Sequence, residues 1–470
     1  MSKPMIGRTV RRLRLEQGQT QQGLASKLGI STSYLNLIEH DQRAVTAALL
    51  IKLTEILHVD IASLSGIPER QLESDLREAF ADPLLNAEPV PDSETQTLAA
   101  SAPLAARAVT SLYRAWRVAR DEAAHDDQGG ITLPSGRKIL LPNEEVRDFF
   151  HDHANHFPQL EDLAEALGGE LPAATLGMNH ALAERLRHRH GLVVAVKPLP
   201  GALRIFDPAA RHLILSDMLP RESRGFQMAF QLALLEARDL VEEIVKAADM
   251  SSRDSKELLR IGLLNYLAGA VLMPYAPYLA AAQELRYDAE SLAARFGVSY
   301  EQACHRLSTL QRSNARGVPF FFLRIDPAGN VSKRFSAARF PFARFGGNCP
   351  RWIIHAAFAT PGTVRVQVAQ LPDGATFLCF ARTITAAASH WGEPPAVRVV
   401  AMGCEIERAS EIVYAEGLDL ARAAVGIGLS CRLCDRPECR SRAFPPLAHR
   451  LALDMKTTSA SPYRFEVPKK

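Results

Sequence analysis

Gly29 separates two helical periods, each barely two turns long, and this punctuation limits how the N-terminal region can fold. Apolar residues recur at helical spacing as Val10 and Leu13, Leu24 and Leu28, Leu35 and Ile38, then Leu49, Leu50, Leu53 and Ile56. Gly18 ends the first helix, and Thr20 stands where it can cap the second. Gly29 closes the second, Ser31 can cap the third, and Asp41 with Gln42 break it. Short helices turning on a glycine predict an all-α head of the helix-turn-helix type.

In such a unit the helix after Ser31 enters the major groove, with Thr32, Ser33 and Asn36 as short polar groups facing base edges. Gln21 and Gln22 meet phosphates or support that helix, alongside Arg11 and Arg43, and Tyr34 lies over the sugar-phosphate backbone. The basic residues Lys3, Arg8, Arg11, Arg12, Arg14 and Lys27, against the single acid Glu16, suit phosphate contact. A solvated helix face reads the same by charge alone. The string from Ile6 to Leu53 resembles the phage-repressor class of helix-turn-helix domains along its length. Such heads usually bind as dimers, which predicts a double-stranded DNA operator and a homodimer or higher homo-oligomer.

A chain of 470 residues is long enough for two to four domains, and 47% hydrophobic with 23% charged residues is ordinary for a globular protein. No run of about eighteen apolar residues predicts a membrane span, and no apolar stretch follows the basic start, so the expected location is cytoplasmic. The net charge of +3 neither requires nor excludes nucleic acid.

Beyond the head, NAEPVPDSETQTLAASAP reads as a flexible connector, followed by a helix packed through Leu112, Tyr113 and Trp116. GLVVAVKPL and RHLILSD then read as strands, and ESRGFQMAFQLALLEARDLV as an amphipathic helix. This order resembles the zinc metallopeptidases that act on phage repressors, whose helix carries H-E-x-x-H. Here Phe230, Gln231 and Leu234 occupy those positions, and Leu263 and Leu264 stand where a third carboxylate would be. None of these side chains ligates zinc or activates water. The expectation is the fold without catalysis, and no enzyme. His180, His188, His190 and His212 are scattered and lack metal-binding spacing. SLAARFGVSYEQACHRLSTLQR mimics a second helix-turn-helix, with Gly297 as turn and Ser299 as cap, but fits better as structural support. Within it, Cys304 and His305 read as a core cysteine and a satisfied histidine.

From Val318 the period shifts to strands: VPFFFLRIDPAGNVSKRFS, RWIIHAAF, TVRVQVAQL, ATFLCFARTI and PAVRVVAMG. Then come Cys431, Cys434 and Cys439, with Cys404 ending a strand as the natural fourth ligand. Four thiolates select zinc or an iron–sulfur cluster, and Arg432, Arg436, Arg440 and Arg442 would offset their charge. A redox pair or metal-free thiols remain alternatives.

Together these readings predict a multidomain α+β chain. It comprises an all-α helix-turn-helix head (1–66), a helical linker region (67–140), an α+β inactive metallopeptidase-like middle (141–316) and a mainly antiparallel β C-terminal sensor domain with a Cys cluster (317–470).

In order and over nearly the full chain, these segments, with GVPFFFLRIDPAGNVSKRFSAARFPFARFGGNCPRW and RAFPP, resemble the short-chain fatty acyl-CoA regulators of bacteria. The resemblance implies control of acetate- or propionate-type metabolism with an acyl-CoA thioester as effector. Coenzyme A needs cations for its phosphates and an apolar slot for its acyl group. Lys333, Arg334, Arg344 and Arg351, beside Trp352, offer such a pattern, though an ordinary basic loop would look alike. Two rivals stand beside this reading: an iron or redox sensor using the cysteines, and a repressor-processing zinc peptidase.

Overall fold

The computed structural model describes residues 6–40, 42–57, 67–82, 90–125, 142–171, 177–342, 348–386, 391–420, 422–446, 449–454 and 456–466. Two compact units divide the chain. One holds residues 1–139, 339–350 and 428–470; the other holds 140–338 and 351–427.

The first unit begins with four short helices, α1 (Gly7–Glu16), α2 (Gln21–Leu28), α3 (Thr32–Glu39) and α4 (Ala47–Leu57). Val10, Leu24, Leu28, Leu35, Ile38 and Leu53 form their core. Local chemistry sets the boundaries. The Gly23 N–H donates to Thr20 Oγ1 at 3.0 Å, Gly29 takes a left-handed φ of 72°, and the Tyr34 N–H donates to Ser31 Oγ at 3.1 Å. Three further helices follow: α5 (Ile67–Phe80), α6 (Asp92–Ser101) and α7 (Pro103–His125).

Two expectations change here. The connector is half helix, because Thr95 and Ala99 of α6 are buried and Ala99 joins Leu72, Leu76 and Ala106 in a small core. Leu112 is 70% exposed rather than packed, while Tyr113 and Trp116 stack at 5.9 Å.

The second unit opens with α8 (Pro142–Asp152), α9 (Pro158–Glu170) and α10 (Met178–His190). A three-stranded sheet follows, from β1 (Val193–Lys197), β2 (Arg204–Asp207) and β3 (His212–Ser216), ordered β1-β3-β2. Next come α11 (Arg221–Glu236), α12 (Arg238–Ala247), α13 (Arg253–Leu272), α14 (Tyr275–Glu284), α15 (Ala289–Phe296) and α16 (Tyr300–Leu307). Ten of the twenty residues of α13 are buried against the core.

The strands β4 (Phe321–Ile325), β5 (Val331–Ser336), β6 (Arg365–Gln370), β7 (Thr376–Thr385), β8 (Val397–Glu405) and β9 (Ala424–Gly426) form a six-stranded sheet ordered β5-β4-β8-β7-β6-β9. All its pairings are antiparallel except β6 with β9. Its inward residues Phe320, Phe322, Phe380 and Met402 share one continuous core with Leu182, Leu232 and Leu263, so packing does not stop near residue 316. RWIIHAAF is not a strand: Ile353–Ala356 form one helical turn, α17, with Ile353, Ile354 and Ala357 buried. Among the described residues, no single helix is long and apolar enough to cross a membrane.

Candidate nucleic-acid interface and ligand cavity

On the head, Thr32, Ser33 and Asn36 are exposed along α3, and Gln22, Arg11 and Arg43 are open to solvent. Tyr34 is half-buried against the core. Gln21 takes the supporting role: its Nε2 donates to Asn36 Oδ1 at 3.1 Å and to Glu39 Oε2 at 3.0 Å. Arg14, read from sequence as part of a basic stripe, lies inside the head. Its guanidinium donates twice to Glu39, at 2.6 and 3.0 Å, and once to the Gln19 carbonyl at 2.9 Å. These bonds to Glu39 hold the Arg14 pKa above its ordinary value. Helix α3 is thus held through Glu39 by Arg14 and Gln21, while Asn36, which also accepts from Gln21, stays exposed. Nothing in the sequence pattern distinguished Arg14 from its exposed neighbours.

The metallopeptidase positions are apolar or inert. Arg204 lies over the Phe230 ring at 4.4 Å, Leu234 is half-buried, and Leu263 and Leu264 are in the core. Gln231 is fully buried, and its side-chain amide has no hydrogen-bond partner among the described residues. His180 is exposed, while His188 pairs with Glu184, His190 with Glu236 and His212 with the Ala210 carbonyl. Helix α16 has no exposed residue, so the second helix-turn-helix look-alike offers no face for a groove.

A cavity of about 470 Å³ opens in the second unit, within the range of small-molecule sites. Helices α8 and α13 supply its apolar wall through Val146, Phe150, Leu258, Ile261 and Gly262. Leu258 and Ile261 are 41% and 46% exposed, unusual for neighbouring apolar residues on one helix. Strands β4 and β5 supply Arg324, Lys333, Arg334 and Phe335; α8 adds Arg147, and His305, Asn265 and Asn155 are among the further polar groups.

Charge in this wall is one-sided. Arg324 pairs with Glu301 at 2.6 Å and Arg147 with Glu144 at 3.0 Å. Lys333 makes no ion pair among the described residues; its ammonium lies 5.9 Å from the Phe322 ring centre. The protein packed around that ammonium, with Arg324, pushes its pKa down to about 8 against the pull of Glu301, although the residue keeps solvent access. His305 is held well below its ordinary value by its surroundings and then by Lys333, Arg306 and Arg324, so its ring is neutral.

The effector residues expected from sequence therefore divide. Lys333 and Arg334 line the cavity. Arg351 is exposed at the start of α17, and Trp352 is buried 6.0 Å from the Phe321 ring, where it packs the sheet instead. Arg344 lies outside the described residues. His305, read as a satisfied core histidine, faces the cavity.

The cysteines divide similarly. Cys404 on β8 is fully buried in the apolar core, with Cys379 as its thiol neighbour. In the first unit, the thiols electrostatically coupled to Cys434 are Cys349 and Cys439. Cys349 thus lies near the loop cysteines within that unit. The Ala443 N–H donates to Cys431 Sγ at 3.4 Å. Arg442 is no simple counter-ion: it donates to the carbonyls of Cys431, Cys434 and Arg436, each at 2.8 Å, and so ties the loop. Arg432 lies over the Phe444 ring. Among the described residues, no three potential ligands converge at metal-binding distance in this conformation.

Three family models match successive parts of the chain: Helix-turn-helix (residues 10–64), IrrE N-terminal-like domain (187–308) and Short-chain fatty acyl coenzyme A regulator, C-terminal (309–463). The chain is 40% identical to the HTH-type transcriptional regulator RamB of Mycobacterium tuberculosis, covering 98% of this chain and 99% of that one. Identity to the Propionyl-CoA carboxylase regulator of Cereibacter sphaeroides is also 40%, over 98% and 99% of the two chains. A solved Mycobacterium tuberculosis transcriptional regulator matches with a TM-score of 0.67 and 42% identity, covering 69% of this chain and all of that one.

Proposed function

Because this chain belongs to the short-chain fatty acyl coenzyme A regulator family, we propose that the cavity bounded by α8, α13, α16, β4 and β5 is its effector site and that the effector is a short-chain acyl-CoA thioester. The protein is a DNA-binding transcriptional regulator. The observation that carries the effector reading is the pairing of a lysine that makes no ion pair among the described residues, Lys333, with a solvent-open apolar wall in one cavity. Phosphates or the pantetheine chain meet Lys333 and Arg334 toward the mouth, and the acyl end meets Phe150 and the α13 wall.

The effector acts by favouring one of two arrangements of the heads in a homo-oligomer, since only differential affinity for two states shifts DNA binding. Two heads read half-sites about 34–36 Å apart, one turn of duplex. Peptide hydrolysis is no part of this function: Phe230, Gln231 and Leu234 offer neither zinc ligand nor base. Isothermal titration of the full chain with free, acetyl- and propionyl-CoA tests the reading, and substitution of Lys333 with alanine should weaken all three.

The CxxC of Cys431 and Cys434, followed by Cys439 in one short loop, with Cys349 also close enough to act on the Cys434 thiol, supports a second element, a metal centre of zinc or iron–sulfur type. Metal and acid-labile sulfide analysis of anaerobically purified protein separates the two metals.

A further inference from the structure

Gly262 sits in the middle of the twenty-residue helix α13, where glycine weakens a helix relative to alanine. Its neighbour gives the reason. A Cβ at position 262 would stand 3.0 and 3.1 Å from Cε2 and Cζ of Phe150, closer than side chains normally approach. The glycine therefore lets the Phe150 ring lie directly on the backbone of α13. The ring is held from another side by the edge-on Phe157 ring at 5.2 Å. Its helix is fixed at the end by the Asn155 N–H donating to the Phe150 carbonyl at 2.8 Å, with Asn155 at a left-handed φ of 52° and its Nδ2 donating to Ser308 Oγ at 3.0 Å. Phe150, Gly262 and Asn155 all line the cavity.

Resting on the effector reading above, we infer that Phe150, seated on Gly262, is the gauge that limits the length of the acyl chain. A rigid aromatic ring pinned on a bare helix backbone is a stop, whereas a flexible side chain would yield to a longer ligand. Of the remaining apolar wall, Leu258 and Ile261 border solvent and set no such limit by themselves, and Val146 is a smaller side chain on the same helix as Phe150. Length selection thus belongs to the Phe150–Gly262 contact, and the cation Lys333 recognises the part common to every thioester.

The test is titration of the full chain with free coenzyme A and its acetyl, propionyl, butyryl, hexanoyl and octanoyl thioesters, each affinity expressed relative to free coenzyme A. Wild type should favour short chains. Phe150→Ala should extend the profile toward hexanoyl, gaining about fourfold per methylene newly admitted, the equivalent of about 0.8 kcal/mol. Phe150→Leu should lie between them and serves if the alanine variant fails to fold. Gly262→Ala displaces the ring, so it should alter the profile in wild type but leave it unchanged in the Phe150→Ala background. A merely structural contact would change melting temperature in every background and leave the normalised profile alone. An unchanged profile in folded Phe150 variants that still bind free coenzyme A overturns the gauge and spares the effector reading. Absence of binding by wild type to every member of the series overturns both.

Discussion

The Arg306 guanidinium and the Glu161 carboxylate, 2% and 0% exposed, meet through two hydrogen bonds of 2.6 and 2.8 Å inside the second unit. The Tyr266 hydroxyl adds a third bond to Glu161 at 2.5 Å, and the Met273 carbonyl accepts from Arg306 Nε at 2.8 Å. This network joins α9, α13 and α16, and two of those helices border the cavity. Removing one member leaves a buried unpaired charge. Glu161→Ala should therefore cost about 3–5 kcal/mol, read as a lower denaturant midpoint. An unchanged midpoint would mean that water reaches the pair.

The same pair sets an acid limit. Burial alone would push the Glu161 carboxyl up, but Arg306 and the Tyr266 hydroxyl together hold it below the ordinary value of 4.5. A depressed folded-state value contributes stability that is complete above the unfolded value and is lost as pH falls through the folded one. Stability of wild type should therefore decline below about pH 4.5, measured by denaturant titration at stepped pH. Glu161→Gln should flatten part of that decline.

In the head, support and recognition should separate. Glu39→Ala strands the buried Arg14 and should destabilise the head by about 3–5 kcal/mol. Asn36→Ala and Ser33→Ala alter exposed side chains and should change stability by no more than about 1 kcal/mol, the worth of the Gln21–Asn36 bond, while weakening operator binding by about 1–3 kcal/mol for each base edge no longer read. Arg11→Ala and Arg43→Ala should each lower the slope of log affinity against log salt by about one.

Gln231 marks the vanished catalytic position with a buried amide that has no partner among the described residues. Replacing it with methionine removes two unmet polar groups at similar volume, so stability should hold or rise. A loss of more than about 1 kcal/mol would mean that the amide holds an ordered water or ligand.

Local features were legible in the sequence because their causes are local. Thr20, Gly29 and Ser31 act on the helix ends beside them, and the residues at 230, 231 and 234 share one helical face. RWIIHAAF is a short apolar run of bulky and β-branched residues, a pattern that periodicity alone does not assign to strand or helix, and here one helical turn buries Ile353 and Ile354 together. The nearness of Cys349 to Cys434 has no sequence signal, because about eighty residues of chain separate the two. The cavity had no motif to find. Leu258, Ile261 and Asn265 follow helical spacing and read as an ordinary packing stripe, while Phe150 and His305 arrive from helices remote in the chain.

Lys333 gives the cavity a pH dependence. Its ammonium, pushed down to about 8, faces Glu301 and Arg324, with neutral His305 beside it. Affinity for propionyl-CoA should fall as pH rises through about 8, because the free site loses its cation there and binding must recover a proton. Lys333→Arg should keep affinity flat to about pH 9.5, since guanidinium stays charged.

The most direct measurement is the melting of the full chain, wild type and Lys333→Ala, with free coenzyme A and propionyl-CoA at about a hundred times the wild-type dissociation constant. Wild type should gain roughly 2.7 kcal/mol from the thioester, and Lys333→Ala, equally stable without ligand, should gain far less. No gain by wild type, or an equal gain by both proteins, would contradict the cavity as the effector site.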